Sequence, residues 1–308
     1  MGEKYILCLD GGTTNTRIRL VENGKIIDSV SSHTGSNKKN NVELRQCVKE
    51  LIDELLKRHS LSADDIPYIM ACGMVSSELG LFVHPHILTP AGAAELKKGI
   101  REVVLSDITD IPIRFIPGIK ENCPEPNMMR GEETECVGLL SAYKINEPVA
   151  VILPGTHNKV ISFDGERVTA LYSMMSGEIL AALSGHTILK NTMPESLPKE
   201  FDEDALIEGA EECRRCGLTG AALRERSIGL TNTKSDVWLS SFLAGAVLYC
   251  DIIAIKEKSG GKKLLIGGSL PLREEIAVLC RHFLQNEVLT ADNETAVNAS
   301  VTGALLLS

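Results

Sequence analysis

The sequence predicts an α/β protein built as two similar lobes. Three observations lead there. The chain has 308 residues, more than one hydrophobic core ordinarily serves. Strand-like apolar runs alternate with segments of helical periodicity from end to end. One strand–turn–strand–hairpin pattern occurs twice, as ILCLDGGTTNTRIRLVENGKIIDS and again as AVILPGTHNKVISFDGERVTALYS.

The elements follow in order. Residues 4–9 form an apolar strand ending at Asp10. Residues 17–21 and 25–30 read as strands joined through Asn23-Gly24, a strong hairpin signal. Val42, Leu44, Val48, Leu51, Leu55 and Leu56 recur at helical spacing and predict a helix over 42–59. A strand at 68–72, a helix near 91–105 and a strand at 113–116 come next, then a proline-containing loop over 118–130. A helix is expected from about Gly131 to Tyr143. The second half repeats the scheme: a strand at 149–153, a turn at 154–159, a strand VISF, an Asp164-Gly165 hairpin, a strand RVTALYS and a helix from about Ser176. Charged helices over 200–230, a long helix over 236–257, strands at 263–266 and 287–290, and helices at 272–283 and from 294 complete the reading. The lobes are expected to meet at 130/131, giving 1–130 and 131–308.

Composition narrows the function. Hydrophobic residues at 44% and charged residues at 24% fit an ordinary globular chain. A net charge of −9 repels nucleic acid and anionic lipid at long range, but leaves room for a local nucleotide site. No signal peptide and no apolar run of spanning length is read, so a cytoplasmic protein is expected. Nine cysteines, several in apolar elements such as Cys8, Cys72 and Cys250, read as free buried thiols. Cys213 and Cys216 form a CxxC with no second ligand pair for zinc, and read as helix-surface thiols.

Three turns carry the chemistry. Asp10-Gly11-Gly12-Thr13-Thr14-Asn15 follows a buried strand: its glycines admit a bulky anion, and its amides and hydroxyls can cradle phosphate. Asp10 can hold Mg²⁺ through water. Gly155, Thr156, His157 and Lys159 stand at the matching place in the second half; Lys159 or Arg17 could neutralise phosphoryl charge. Gly267, Gly268 and Ser269 form a third strand–helix turn against which a flat ring such as adenine can lie. A plain hairpin or βα loop accounts for each turn taken singly. Neither GxxxxGK[ST] nor a strand-linked GxGxxG is present, which removes the main support for P-loop kinases and Rossmann dehydrogenases.

These turns, in this order on a duplicated pattern, resemble the superfamily of actin, hexokinase and the 70-kDa chaperones. The strings ACGMVSSELG, MMRGEETECVG, LPGTHNKV and MMSGEILAALSGHTIL resemble the 2-dehydro-3-deoxygalactonokinases, from about residue 5 onward. The resemblance implies duplicated ribonuclease H-like lobes about a central cleft, with ATP and Mg²⁺ used to phosphorylate the 6-hydroxyl of 2-dehydro-3-deoxy-D-galactonate. It also implies a catalytic carboxylate at the start of the helix before the second phosphate turn. Glu133 is the preferred base there and Glu132 its rival. Arg130 could fork the substrate carboxylate, while Gly177, Glu178, Met74 and Ser76 could line the sugar side. Members of the family often carry Trp where this chain has Gly11, Leu81 and Val160. The competing readings are a kinase of another small sugar acid or polyol, a nucleotide-dependent binding or chaperone-like protein, and a sugar-sensing regulator. A peptide-binding domain or an N-terminal helix-turn-helix would mark the last two, and neither is read. A sugar acid and ATP are the expected partners, without nucleic acid or membrane, and the oligomeric state stays open, a homodimer included.

Overall fold

The computed structural model describes residues 4–36, 41–124 and 126–308, in two compact units. Unit 1 comprises Met1–Asn146, Glu166–Thr169 and Asn298–Ser308; unit 2 comprises Glu147–Gly165 and Ala170–Val297.

In unit 1 the chain forms β1 (Tyr5–Gly11), β2 (Thr16–Glu22), β3 (Lys25–Ser32), α1 (Val42–Arg58), β4 (Ile69–Gly73), β5 (Ile87–Leu88), β6 (Ala91–Gly92) and α2 (Ala93–Gly99). β7 (Arg101–Leu105), β8 (Thr109–Phe115), β9 (Ile119–Lys120), β10 (Met128–Met129) and α3 (Glu132–Ala142) follow. The main sheet runs β3-β2-β1-β4-β8-β7, with β1 antiparallel to β2 and parallel to β4. Asn23 and Gly24 both take positive φ, as a tight turn matched to strand twist requires. Leu7, Leu9, Ile18, Leu20, Val48, Leu55, Ile69 and Phe115 fill the core between this sheet and α1.

Unit 2 forms β11 (Val149–Leu153), β12 (Asn158–Asp164), β13 (Arg167–Met174), α4 (Ser176–His186), α5 (Glu203–Gly229), α6 (Asp236–Ser259), β14 (Lys263–Ile266), α7 (Leu272–Phe283) and β15 (Val288–Thr290). Its strands run β15-β14-β11-β12-β13, again antiparallel to one neighbour and parallel to the other about the first strand. The first two residues of β13 pair with β6 and count with unit 1. Helix α8 (Asn293–Leu307) enters unit 1 from residue 298 on.

Several expectations change. The helix near 91–105 is α2 alone; Arg101–Leu105 is strand β7, because its Val103-Val104 pair favours a sheet edge and it finds β8 as an antiparallel partner. The loop over 118–130 holds the paired strands β9 and β10. The helical segment 200–230 is α5, kinked at Gly217. The main switch between units falls at Asn146/Glu147, after α3 rather than before it, since α3 packs backbone to backbone on α8 at Gly138 and Gly303.

Helix α6 is long and apolar enough to cross a membrane, contrary to the sequence reading that no segment is, but most of it is buried in unit 2. Cys213 is buried and Cys216 exposed, so the CxxC is not a surface pair, and Cys250 is exposed rather than buried.

Candidate active site

The predicted residues fall into two groups, one in each unit. In unit 1 the first turn follows β1. Asp10 is half-buried and sits opposite Arg17 across the β1–β2 ladder. Its Oδ2 accepts from Ser300 Oγ at 3.2 Å. Within the turn, Gly12 N donates to Asn15 O at 2.8 Å, and Asn15 Oδ1 meets the His33 ring at 2.9 Å. Among the described residues the N–H groups of Thr13 and Thr14 have no partner, and Thr14 and Asn15 are exposed. Unpaired amides beside glycine are the kind of group that can form an anion nest.

A close backbone approach joins this turn to two further loops. Gly73 has φ +83°, and a Cβ there would lie 2.4 Å from Gly11 O. Gly131 in turn abuts Gly73 Cα. Residues 74–76 and 130–133 are thereby brought beside the Asp10–Asn15 turn. Arg130 donates from Nη1 to Ser76 Oγ at 2.8 Å and from Nη2 to His84 O at 2.7 Å, with the His86 ring 3.2 Å away. The predicted carboxylate fork is therefore already held by unit 1. Burial, then the Arg130 charge, push His86 down to about 4, so its ring is neutral at pH 7. Met74 lies partly exposed on the same loop.

The two acids differ. Glu133 is 1% exposed and accepts the Gly131 N–H at 2.8 Å on both oxygens. Burial above all, with the Glu132 charge next, raises its pKa to about 8. Such a group is protonated at neutral pH. Glu132 is half-buried, and its Oε2 accepts from Arg130 N at 2.9 Å. The preference for Glu133 as base thus rests on the less accessible of the pair.

In unit 2 the second turn sits against the start of α4. Gly155 N donates to Asn158 Oδ1 at 2.8 Å, and Glu178 N donates to Thr156 O at 3.2 Å. A Cβ on Gly177 would lie 2.3 Å from Gly155 O. The His157 ring lies 3.2 Å from the Glu178 carboxylate, both largely exposed. Thr156 and His157 are exposed, and among the described residues their N–H groups have no partner. Lys159 does not stand on this exposed edge: it is 8% exposed and its Nζ donates to Ser173 Oγ at 2.8 Å. The third turn meets the second directly. Gly267 N donates to Ile152 O, and a Cβ on Gly268, at φ +78°, would lie 2.6 Å from Pro154 O. Ser269 follows, exposed.

Sequence reasoning missed Ser300, which lies 290 residues from Asp10 and carries no local signal. It also missed Asp251, although a lone carboxylate inside the apolar run SFLAGAVLYCDIIAI was a signal. The tryptophan-replaced positions Leu81 and Val160 are both core residues, at 5% and 1% exposure.

Two α/β units of like topology, each with a glycine turn after its first strand, carry the actin-like fold expected from the sequence. Structural comparison bears this out. A Clostridium difficile activator of 2-hydroxyisocaproyl-CoA dehydratase, solved with ADPNP, matches with TM-score 0.51 and 14% identity over 98% of this chain and 93% of its own. A Sinorhizobium meliloti structure described as a 2-dehydro-3-deoxygalactonokinase protein matches with TM-score 0.81 and 24% identity, over 97% and 98%. The 2-dehydro-3-deoxygalactonokinase of Escherichia coli K12 is 26% identical over 263 residues, 83% of this chain and 82% of the relative. The family model for 2-keto-3-deoxy-galactonokinase matches residues 10–304, and the chain belongs to that family.

Proposed function

We propose that the protein is an ATP-dependent kinase that phosphorylates the 6-hydroxyl of 2-dehydro-3-deoxy-D-galactonate. The observation that carries this reading is the juxtaposition, in one unit of a chain of this family, of the Asp10 phosphate turn with the Arg130–Glu133 segment through Gly11, Gly73 and Gly131.

Phosphoryl transfer is mainly positioning and charge neutralisation. The outward amides of Thr13 and Thr14 and those of Thr156 and His157 supply neutral donors for phosphate oxygens. The Gly267–Ser269 turn takes the adenosine end. Arg130, held by Ser76 and His84, would meet the acid's carboxylate with the N–H donors those two contacts leave over. Glu132 takes the hydroxyl proton, since its accessible carboxylate suits a base better than buried Glu133. Glu133 holds the Gly131 amide, so that the segment bearing Arg130 and Glu132 keeps its shape.

Mg²⁺ fits the donor set. Asp10 offers a half-exposed carboxylate oxygen beside the phosphate turn, and Mg²⁺ keeps most of its waters and needs few protein ligands. Bound there with ATP, it would neutralise phosphate charge. Nine free cysteines suit a reducing compartment, and a cytoplasmic location is part of the proposal.

The test is ADP release from Mg-ATP over a panel of 2-dehydro-3-deoxygalactonate, 2-dehydro-3-deoxygluconate, pantothenate and simple polyols. The galactonate derivative should turn over fastest. Faster turnover of another acceptor would move the substrate assignment, and no release with any would remove the kinase reading.

A further inference from the structure

The second phosphate turn is held from behind by a buried carboxylate outside the three turns. Asp251 lies midway along α6 and is 1% exposed. Its Oδ2 accepts from Asn158 Nδ2 at 2.5 Å, and its Oδ1 accepts from Ser176 Oγ at 2.5 Å. Asn158 passes the contact on, because its Oδ1 takes the Gly155 N–H. Ser176 opens α4, whose next residues meet the turn through the Gly177 approach to Gly155 O and the Glu178 N–H to Thr156 O. One carboxylate thus ties α6, the first residue of β12 and the first residue of α4 together.

Burying a carboxylate among apolar helices is costly unless the group is satisfied. Burial holds Asp251 above the usual carboxylate range, while the two donors pull it back down. An apolar residue would fill an α6 core position at least as well, so stability alone gives little reason for an acid here. What the acid provides is orientation. With Gly155 N turned inward onto Asn158, the amides left facing out are those of Thr156 and His157, which among the described residues have no partner.

We propose that Asp251 is a positioning residue for nucleotide binding: through Asn158 and Ser176 it fixes the second phosphate turn so that the Thr156 and His157 amides meet the phosphates of ATP. This rests on reading that turn as a nucleotide site, and it adds a residue on a helix that no turn motif contains.

The experiment measures ATP Kd by titration calorimetry, and KM for ATP and for the sugar acid, in the whole protein. Asp251→Leu should weaken ATP binding about tenfold or more, with the sugar-acid KM at saturating ATP changed less than about twofold. Asp251→Asn should keep ATP affinity within about threefold, because its amide can accept from Asn158 and donate to Ser176 Oγ. Ser176→Ala, which removes one donor, should fall between, and it carries the test if Asp251→Leu does not fold. Equal loss for both substrates would reduce Asp251 to a core residue. Unchanged ATP affinity in folded Asp251→Leu, or in folded Ser176→Ala should the first not fold, would overturn the proposal while leaving the kinase reading intact. A wild-type protein that binds no ATP would overturn both.

Discussion

Units 1 and 2 are built on one strand order, β3-β2-β1-β4-β8 in the first and β13-β12-β11-β14-β15 in the second. In each, a glycine at or just beyond the end of the neighbouring parallel strand presses onto the backbone of the glycine turn: Gly73 onto Gly11 O, Gly268 onto Pro154 O. The chemistry differs at matching places. Asp10 directly precedes Gly11, and the residue directly preceding Pro154 in unit 2 is Leu153, at the end of β11. Unit 1 therefore carries a carboxylate at its strand end where unit 2 carries an aliphatic side chain. The buried acids differ as well. Glu133 takes a backbone N–H beside a second acid, and Asp251 takes two side-chain donors. A repeated scaffold has kept its turn geometry and divided its charges; under the function proposed above, the proton and metal roles would fall to unit 1 residues and neutral phosphate donors to those of unit 2.

The largest expected effect tests that division. Glu132→Gln should lower kcat by about 10²–10⁴-fold with ATP Kd unchanged, as for loss of a general base. A drop of less than about tenfold would take the base elsewhere in unit 1. The glycine contacts come next. Gly73→Ala and Gly268→Ala each force a Cβ into a backbone carbonyl at positive φ, and each should cost about 2 kcal/mol or more, read by denaturant midpoint. If only one of them destabilises, the two turns are not equivalent.

A pH series sharpens the contrast between the buried acids. Glu133 has a folded pKa raised to about 8 from an ordinary 4.5, so the native state holds an extra proton between those values. Stability from this source is full below about pH 4.5 and declines as pH rises toward 8. Glu133→Gln should match wild type in melting temperature near pH 5 and exceed it by a few degrees near pH 8.5. A constant gap across the range would mean that Glu133 stays ionised in the fold. The smallest effect belongs to the exposed His157–Glu178 pair: Glu178→Gln should change stability by less than about 1 kcal/mol. A larger loss would make α4 depend on that contact.

Much of this was legible because local chemistry decided it. Asn23-Gly24 and Asp164-Gly165 announced their hairpins, and the helix over 272–283 was read to the residue. The three turns were recognisable from glycine and threonine after buried strands. What failed depended on distant partners. Arg101–Leu105 became a strand because β8 offers an edge, and residues 119–120 are a strand through pairing with 87–88 on one side and 128–129 on the other. Lys159 read as a phosphate cation, but it lies in a strand buried on both faces, with its Nζ on Ser173 Oγ. Local spacing placed Glu132 and Glu133 on one helix start, and only the packing at Gly73 separated a buried acid from an accessible one.

Helix α8 has a consequence for the order of events during synthesis. Residues 298–308 belong to unit 1, where Gly303 lies against Thr134 O and Ser300 reaches Asp10. A ribosome must therefore make all of unit 2 before unit 1 can close. Until then α3 lacks its packing partner, and Asp10 lacks the hydroxyl that steadies it. The unit begun first is finished last, so a released chain cut short before residue 298 would hold every residue of unit 2 but an open, protease-sensitive unit 1.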